Sequence, residues 1–211
     1  GKFNWMQNDK FPTLTKPYEG YHGLSFAEEF GPTAFTMKAR AEGMRDFGPC
    51  LSPQNAWNVL QGIETLSVRM QKHCSNAEKM VEYLLNHESV AWVSHPSVPD
   101  HPDHELAKKL LPHGKGSMIA FGIKGGKDAG EAFINNVKLA SHLANVGDTR
   151  TLVIHPASAT HSQMDEETLK FAGLSHDMIR LSVGIEDIED IKNDFENGFR
   201  AARKPRLVSN Q

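Results

Sequence analysis

Apolar residues in the second quarter of the chain recur at the spacing of an α-helix. Ser52 is a residue type that caps helix N-termini, and Pro53 suits the first helical position. Steps of three and four residues then bring apolar side chains to one face, at Ala56, Leu60, Ile63, Leu66 and Met70, and later at Met80, Val81, Leu84 and Leu85. The pattern predicts a long amphipathic helix that ends at about Asn86, with Gly62 as a weak point.

Beyond this helix, short apolar runs alternate with helical periods. Helical spacing covers residues 105–111 and 129–144, and a further short helix from about Asp165 should end at Gly173. Runs of strand length lie at residues 90–93, 117–123, 151–154 and 179–183. A closing helix has the clearest apolar face, formed by Ile188, Ile191, Phe195, Phe199 and Ala202. This order predicts an α/β (α+β) fold, with a four- or five-stranded sheet covered mainly on one side by helices.

The first quarter of the chain lacks this rhythm. Residues 1–47 carry scattered aromatic residues, Gly and Pro, with one helix-like stretch from Ala34 to Arg45, so they are expected to pack on another part of a larger structure. Residues 204–211 are polar and are expected to form a frayed tail. Because the chain opens with Gly1 and no signal-like segment follows, we expect a piece of a longer protein.

Composition and charge argue against several classes of partner. The 211 residues carry 23 Lys and Arg against 26 Asp and Glu, a formal charge of -3, without a basic stripe that could follow a phosphate backbone. Nucleic acid is therefore not an expected partner. No apolar run approaches the roughly 20 residues that cross a bilayer, so no membrane span is expected. Cys50 and Cys74 stand in no metal-ligand spacing, which fits a reducing cytoplasm.

Arg180 is the first candidate for chemistry. In the predicted strand at 179–183, alternation places Ile179, Leu181 and Val183 on one face and Arg180 with Ser182 on the other. A guanidinium among apolar residues requires an anion, and its planar fork matches a carboxylate through two parallel hydrogen bonds. The anion could be a substrate carboxylate, or an Asp or Glu of the same protein in a structural ion pair. From the strand alone, the ion pair is the favoured interpretation.

Asn145 is the second candidate. It lies in the segment Asn145-Val146-Gly147-Asp148, which we expect to end the helix at 129–144 and to lead into the next strand. Asn and Gly are typical of a helix C-terminus, so simple chain reversal is the favoured interpretation. The functional alternative is that Asn145 offers its amide to a ligand while Gly147 allows a close approach of the backbone.

Histidines and a glycine pair give weaker signals. His155 and His161 follow a buried-looking strand, but no carboxylate or cysteine completes a zinc spacing, so loop histidines bonded to backbone are favoured. The segment Lys124-Gly125-Gly126-Lys127 lacks the spacing of a phosphate-binding loop and is predicted to be a turn after a strand. A solvent-facing loop is predicted for the three remaining clustered histidines, His95, His101 and His104. We predict no metal site.

Three stretches together resemble the Cys/Met-metabolism family of pyridoxal-phosphate-dependent enzymes. They are Leu51-Ser52-Pro53-Gln54-Asn55-Ala56 leading into Gln61-Gly62-Ile63-Glu64-Thr65-Leu66-Ser67-Val68-Arg69-Met70, Asn145-Val146-Gly147-Asp148 through His155-Pro156-Ala157-Ser158-Ala159-Thr160-His161, and Ile179-Arg180-Leu181-Ser182-Val183-Gly184-Ile185-Glu186. Their order and separation also fit, and the resemblance covers residues 1–203. Tyr21-His22-Gly23-Leu24, Gln61-Gly62 and Asn145 are most similar to the O-acetylhomoserine sulfhydrylase branch.

The resemblance implies a fold, a cofactor and roles for residues. It makes residues 1–50 the end of a large cofactor-binding domain, 51–86 a long linking helix and 87–203 a C-terminal α/β domain. It implies the C-terminal part of a fold-type-I transferase in which Arg180 holds the α-carboxylate of an amino-acid substrate, Asn145 helps to position that group, and Thr160 lies in the same substrate-site signature. The cofactor is pyridoxal 5'-phosphate, and the second substrate is sulfide or a thiol. Homotetramers built from dimers are the usual assembly.

One element of the resemblance is missing. Family members bind the cofactor through a lysine in a Ser-x-Thr-Lys-like context, upstream of everything in this chain. Thr15-Lys16 imitates the dipeptide, but Pro17 follows and the surrounding residues align beyond that lysine, so Lys16 is rejected as the cofactor lysine. No catalytic residue is therefore predicted in the chain, and the N-terminal part of the same enzyme is its expected partner. The alternatives are a sibling methionine γ-lyase or cystathionine γ-synthase, and a non-catalytic assembly domain.

Overall fold

The structure is a computed structural model that describes residues 2–159 and 166–203. The chain divides into two compact units, Gly1–Gln61 and Gly62–Gln211. The predicted tail at 204–211 lies outside the described residues. Within the described ranges, no helix is long and apolar enough to cross a membrane.

The first unit is built from short helices around a small core. Its α-helices are α1 (Pro12–Thr15), α2 (Phe26–Phe30), α3 (Ala34–Lys38), α4 (Arg45–Phe47) and the start of α5 (Pro53–Glu64). Single 3-10 turns lie at Trp5–Gln7, Glu19–Tyr21 and Gly31–Thr33, and a π-helical segment, Ala39–Met44, joins α3 to α4. The helix expected at 34–45 is thereby confirmed, with a wider turn in its middle. Leu14, Phe26, Ala27 and Ala34 are buried at its centre.

The predicted linking helix is two helices. The Ser52 hydroxyl caps its start by accepting a hydrogen bond from the Asn55 N–H at 3.1 Å, as predicted. The helix breaks at Thr65, where α5 ends and α6 (Leu66–Leu85) begins. The Arg69 guanidinium stabilises the chain at this break, because it donates to the Gly62 carbonyl and, at 3.3 Å, to the Thr65 hydroxyl. Periodicity continues across the break, so the apolar pattern alone did not reveal it.

The second unit contains a five-stranded mixed sheet. Its strands are β1 (Val90–Ser94), β2 (Met118–Ile123), β3 (Ser141–His142), β4 (Leu152–Ile154) and β5 (Met178–Ser182). The order across the sheet is β1-β2-β5-β4-β3, and only the β3–β4 pair is parallel. Its remaining helices are α7 (His104–Leu110), α8 (Gly126–Ile134), α9 (Glu166–Phe171) and α10 (Ile188–Ala202). The five strands confirm the predicted fold class.

The main core lies between the sheet and three helices. Buried side chains of α6, α8 and α10 pack with those of β2, β4 and β5 in one cluster. Its aromatic centre is a group of four phenylalanine rings with centroids 4.8–6.4 Å apart, Phe121, Phe133, Phe195 and Phe199. Fully buried aromatic rings of this kind dominate core energetics through the area they remove from water. The predicted apolar face of α10 is this contact surface.

The prediction for residues 129–144 was wrong in its second half. Helix α8 ends at Ile134, and Ser141–His142 forms the short edge strand β3. The reason is a carboxylate from a distant helix: Asp194, buried on α10, accepts hydrogen bonds from the backbone N–H of Lys138 at 2.7 Å and of Ala140 at 2.9 Å. These bonds replace the helical ones and direct the chain to the sheet edge.

Candidate functional site

Arg180 lies in the middle of β5, paired with Ala120 of β2 and Ile154 of β4. The predicted alternation holds, since Ile179, Leu181 and Val183 are fully buried in the main core while Arg180 points to the other face. The Arg180 residue is half-buried. β5 is hydrogen-bonded to a neighbouring strand on each side, so the backbone that carries the guanidinium is held in a fixed position.

The ion pair favoured for Arg180 is absent from the described part of the chain. No carboxylate of residues 2–159 or of the described side chains in 166–203 lies within 4.0 Å of its guanidinium nitrogens. Other arginines of the protein do have such partners, as Arg150 has Asp148 at 3.3 Å. A half-buried guanidinium without an internal anion retains its capacity to bind one.

Asn145 lies in an exposed loop, residues 143–150, between two strands. The expectation that it ends a helix was wrong, because the preceding element is β3 and not a helix. The Asn145 side-chain oxygen accepts a hydrogen bond from the Val146 N–H at 2.8 Å, which leaves its amide NH2 group facing outward as a donor. Gly147 has a φ of +77°, a conformation that favours glycine and tightens the loop.

An ion pair stiffens the second half of this loop. Asp148 accepts from the Arg150 backbone N–H at 3.0 Å and from its guanidinium at 3.3 Å. The Arg150 guanidinium, as the main cause, and this backbone bond lower the pKa of the Asp148 carboxyl. The Asp148 carboxylate is therefore neutralised by Arg150. The Asn145 amide NH2 group remains the polar group of this loop that is available to a ligand.

A cluster of polar residues joins the end of β5 to the base of this loop. Thr151 is fully buried, and its hydroxyl donates to the Glu186 carboxylate at 2.8 Å while accepting from the Gly184 N–H at 2.9 Å. The Thr151 N–H also donates to Glu186, at 2.6 Å. From α6, the Asn76 NH2 group donates to the carbonyls of Gly184 at 3.0 Å and Glu186 at 2.9 Å. We call Asn76, Thr151, Gly184 and Glu186 the Thr151 cluster.

Sequence reasoning missed the Thr151 cluster. One signal was available, because His73 and Asn76 occupy the same face of the predicted helix as Ala77, Met80 and Leu84, where apolar residues are expected. Both are buried, and the His73 Nδ1 lies 2.7 Å from the Val183 carbonyl, to which it donates. The partners are more than 100 residues away along the chain, so the pairing itself could not be inferred from periodicity.

His155 has a structural role in the described chain. Its ring is fully buried, with Nδ1 2.8 Å from the Ser158 hydroxyl and Nε2 2.7 Å from the His176 carbonyl. This confirms the prediction of a histidine bonded to backbone. Burial, above all, lowers the pKa of the His155 imidazole. The substrate-site candidate Thr160, and His161 beside it, lie outside the described residues.

The clustered histidines differ from the prediction of a solvent-facing loop. His95 is almost completely buried and lies 2.7 Å from the Ser97 hydroxyl, while His104 is half-buried and bonded to the Pro96 carbonyl at 2.8 Å. These short-range hydrogen bonds stabilise the turns between β1 and α7. Three or more metal-ligating side chains do not come together anywhere in the described ranges. The predicted turn at 124–127 is confirmed, since β2 ends at Ile123 and α8 begins at Gly126.

The residues present fit a carboxylate better than a covalently held cofactor. A lysine that binds pyridoxal phosphate must reach a shielded site, but no lysine is buried among the side chains that the structure describes. Lys16 is exposed, and Lys38 is paired with Glu42 at 2.9 Å. Among the described side chains, the Arg180 guanidinium is available to an anion, and no lysine is buried.

Comparisons with known proteins point to one family. The family described as Cys/Met metabolism PLP-dependent enzyme matches residues 20–200. O-acetyl-L-homoserine sulfhydrylase 1 of Thermus thermophilus is 50% identical over 199 residues, which are 94% of this chain and 47% of that protein. Homocysteine synthase of Schizosaccharomyces pombe is 46% identical over 203 residues, 96% of this chain and 47% of that protein.

Solved structures agree with these relatives. A Campylobacter jejuni protein, assigned as an O-acetylhomoserine (thiol)-lyase and crystallised with a pyridoxyl-lysine monophosphate, matches with a TM-score of 0.79 and 35% identity over 92% of this chain and 46% of its own. Cystathionine γ-synthase of Xanthomonas oryzae matches with a TM-score of 0.65 and 36% identity over 72% of this chain and 39% of its own. The chain spans about half the length of the relatives it matches.

Proposed function

Because the chain belongs to the Cys/Met-metabolism family of pyridoxal-phosphate-dependent enzymes, we propose that it forms the substrate-binding part of an O-acetylhomoserine sulfhydrylase. Such an enzyme replaces the acetate on the γ-carbon of O-acetylhomoserine by sulfide or a thiol, which gives homocysteine or its analogue. The high identity to sulfhydrylases over almost the whole chain supports this branch of the family.

One observation carries the proposal: Arg180 has no internal carboxylate partner in the described chain. A guanidinium on a central strand, half-buried and unpaired, is matched in charge and shape to the α-carboxylate of an amino acid. Two parallel hydrogen bonds would fix both the position and the plane of that carboxylate. The proposed role of Arg180 is therefore to hold the substrate in one orientation.

Asn145 and Thr160 complete the proposed substrate site. The outward amide NH2 group of Asn145 can donate to a carboxylate oxygen, and the open turn at Gly147 lets a ligand approach the loop backbone. Thr160 is proposed on the family resemblance alone. None of the three residues transfers a proton or an acyl group in this proposal, so the chain contributes binding and orientation.

The chemistry is assigned to pyridoxal phosphate held by the remaining part of the enzyme. When bound, this cofactor withdraws electrons from the α-carbon of an amino acid and so makes substitution at the γ-carbon accessible. Because the chain lacks a shielded lysine in its described residues, we place the cofactor lysine in the other half of the protein. Alone, the chain should be inactive.

The rest of the enzyme is also the proposed cover for α5. None of its residues is buried, and Trp57, Leu60 and Ile63 are each more than half exposed. Contiguous apolar surface of this kind marks an interaction site, and the relatives contain about as much additional chain as this one. We propose a homotetramer of complete subunits in the cytoplasm, where the free thiols of Cys50 and Cys74 would stay reduced.

The first experiment compares reactions catalysed by the full-length enzyme. Three reactions are assayed side by side: O-acetylhomoserine with sulfide, O-acetylhomoserine or another homoserine ester with cysteine, and methionine alone. The sulfhydrylase proposal predicts that homocysteine formation from sulfide dominates. Dominant cystathionine formation would instead favour the γ-synthase sibling, for which the match to the Xanthomonas structure is the supporting observation. Dominant methionine cleavage would favour a γ-lyase, and complete inactivity with no bound cofactor would favour an assembly domain.

The second experiment tests the residue that carries the proposal. Arg180→Ala in the full-length enzyme should raise the Michaelis constant for O-acetylhomoserine by about tenfold to a hundredfold, the effect of losing a charge-assisted contact worth about 1.5–3 kcal/mol. The absorbance of the bound cofactor should not change. Arg180→Lys, which keeps the charge but loses the fork, should give an intermediate value. A Michaelis constant within twofold of the parent for Arg180→Ala would contradict the assignment.

A further inference from the structure

The Thr151 cluster links the two segments that carry the proposed substrate contacts. On one side, Gly184 and Glu186 follow directly after β5, which carries Arg180. On the other side, Thr151 closes the loop that carries Asn145. The Ile185 N–H adds a further bond to this loop, because it donates to the Thr149 carbonyl at 2.9 Å.

Several hydrogen bonds and a close backbone contact join Thr151 to the segment after β5, so neither can shift relative to the other without breaking them. Thr151 makes three hydrogen bonds to the segment after β5, at 2.6, 2.8 and 2.9 Å. A Cβ on Gly184 would overlap the backbone of Arg150 and Thr151 and the Glu186 carboxylate, so the two segments are in direct backbone contact. A buried polar network with this many short bonds specifies one relative position of its members.

Helix α6 fixes the same segment from a second direction. His73 and Asn76 bind the carbonyls of Val183, Gly184 and Glu186. In return, His73 Nε2 and the Asn76 side-chain oxygen are buried without a hydrogen-bond partner among the described residues. Buried polar atoms without partners are unfavourable for folding. Proteins break this rule mainly where a specific geometry has a function.

We propose that Thr151, Glu186 and Asn76 are positioning residues for the substrate carboxylate. They set the distance and orientation between the Asn145 loop and Arg180, so that both contact the same carboxylate. The inference deepens the proposed function and rests on it. None of the three residues needs to touch the substrate, so their effect should pass through Asn145.

The test removes one hydroxyl from the full-length enzyme. Thr151→Val keeps the shape of the side chain, but it leaves the Gly184 N–H without its acceptor and Glu186 Oε2 without its hydroxyl donor. We expect the Michaelis constant for O-acetylhomoserine to rise about tenfold, because the loss of these two buried hydrogen bonds lets the Asn145 loop move, with the turnover number within about twofold. The cofactor absorbance should not change. Thr151→Ser restores the hydroxyl and should rescue the Michaelis constant.

A matched control and a second variant guard against a simple folding defect. Thr36→Val makes the same chemical change at an exposed side chain of α3, outside the Asn145 loop and the Thr151 cluster, and should have no effect on the Michaelis constant. If Thr151→Val does not fold, Glu186→Gln keeps the size of the carboxylate and removes its charge, and it should raise the Michaelis constant about threefold, a fraction of one buried hydrogen bond. A lower unfolding temperature with an unchanged Michaelis constant would overturn the proposal for either variant.

A double-mutant cycle separates positioning from general stability. In the Asn145→Ala background, Thr151→Val should raise the Michaelis constant less than about twofold, because the loop no longer carries the contact that the cluster positions. Independent, multiplicative effects would overturn the inference. Arg180→Ala serves as the reference: if it has no effect on the Michaelis constant, the proposed function itself fails. If Arg180→Ala has its effect but Thr151→Val does not, only the positioning role fails.

Discussion

The two faces of β5 differ in how many of their side chains find partners within the fold. On one face, Ile179, Leu181 and Val183 are fully buried against α6, α8 and α10. On the other, Arg180 is half-buried without a carboxylate, and the Ser182 hydroxyl is buried without a hydrogen-bond partner, among the residues that the structure describes. One strand therefore has a fully packed apolar face and an opposite face whose polar groups can still bind a ligand.

This difference indicates which face is structural and which is functional. Burial of apolar side chains lowers the free energy of the folded state roughly in proportion to the area removed from water. A guanidinium without a partner has the opposite effect, since its desolvation is not compensated within the fold. The side chain that is unfavourable for folding is thus the one with a reason to be kept for binding. Substitutions on the two faces should separate stability from substrate binding.

The largest effect is expected on the core face. Leu181→Ala should lower the free energy of unfolding by about 2–5 kcal/mol, because it removes buried methyl groups and leaves a cavity beside the phenylalanine group. Equilibrium unfolding in urea measures the change. The exposed Leu106→Ala on α7 is the matched control and should change the same quantity by less than about 0.5 kcal/mol. A loss below about 1 kcal/mol for Leu181→Ala would mean that this face is less tightly packed than the structure indicates.

The next effect is expected where β5 ends. Gly184→Ala should destabilise the protein by about 1–3 kcal/mol, because the new methyl group would overlap backbone atoms that cannot rotate away. Gly116→Ala offers a comparison of another kind: its surroundings are open, but its φ of +89° strains any side chain. Urea unfolding of both variants distinguishes steric contact from backbone strain. A neutral Gly184→Ala would show that the Thr151 cluster can open at little cost.

The core face of β5 could be predicted from the sequence, and so could much of the fold. Alternation over residues 179–183 identified the buried side chains, the Ser52-Pro53 pair located the helix start, and the spacing along α10 identified its contact face. These signals are local: each follows from the periodicity of one element and the chemistry of its own ends. The strand alternation and the loop pattern identified Arg180 and Asn145 as candidates, and the family resemblance gave them roles, which remain predictions.

Features that depend on distant partners could not be predicted. Residues 135–144 have helical spacing, yet the carboxylate of Asp194 captures two of their backbone N–H groups and produces an edge strand. His95 sits among Pro and Asp, which suggested a surface loop, but the fold buries it. The Thr151 cluster joins α6, the loop before β4 and the segment after β5, so no single stretch of sequence contains it. Tertiary contacts decided each of these cases.

A smaller effect should appear when acid protonates buried histidines, one of which anchors the segment leading into β5. Burial is the main cause that lowers the pKa of His87, His95 and His155. Their ordinary pKa is about 6.5, so at higher pH both the folded and unfolded states are neutral and stability is complete. Below about pH 6.5 the unfolded state binds protons first, and the free energy of unfolding should fall as the pH decreases. Urea unfolding from pH 8 to pH 5 measures this slope.

His155→Gln sharpens the same experiment. It removes one of the three imidazoles whose pKa is lowered by burial, the one that bonds to the His176 carbonyl just before β5. The variant should be less stable than the parent at pH 8, yet its stability should depend less on pH between about 6.5 and 5. His113→Gln, at an exposed position, should keep the pH dependence of the parent. Equal slopes for His155→Gln and the parent would assign the acid effect to other groups.

The smallest effect on stability is expected at the residue with the largest proposed effect on binding. Arg180→Ala removes no ion pair within the described chain, so its free energy of unfolding should lie within about 0.5 kcal/mol of the parent. The same substitution should weaken substrate binding strongly, which no substitution on the core face should do without also unfolding the protein. Urea unfolding without substrate, together with the Michaelis constant of the full-length enzyme, tests both halves. A large loss of stability for Arg180→Ala would show that its guanidinium satisfies an internal group, and the two faces of β5 would then share one structural role.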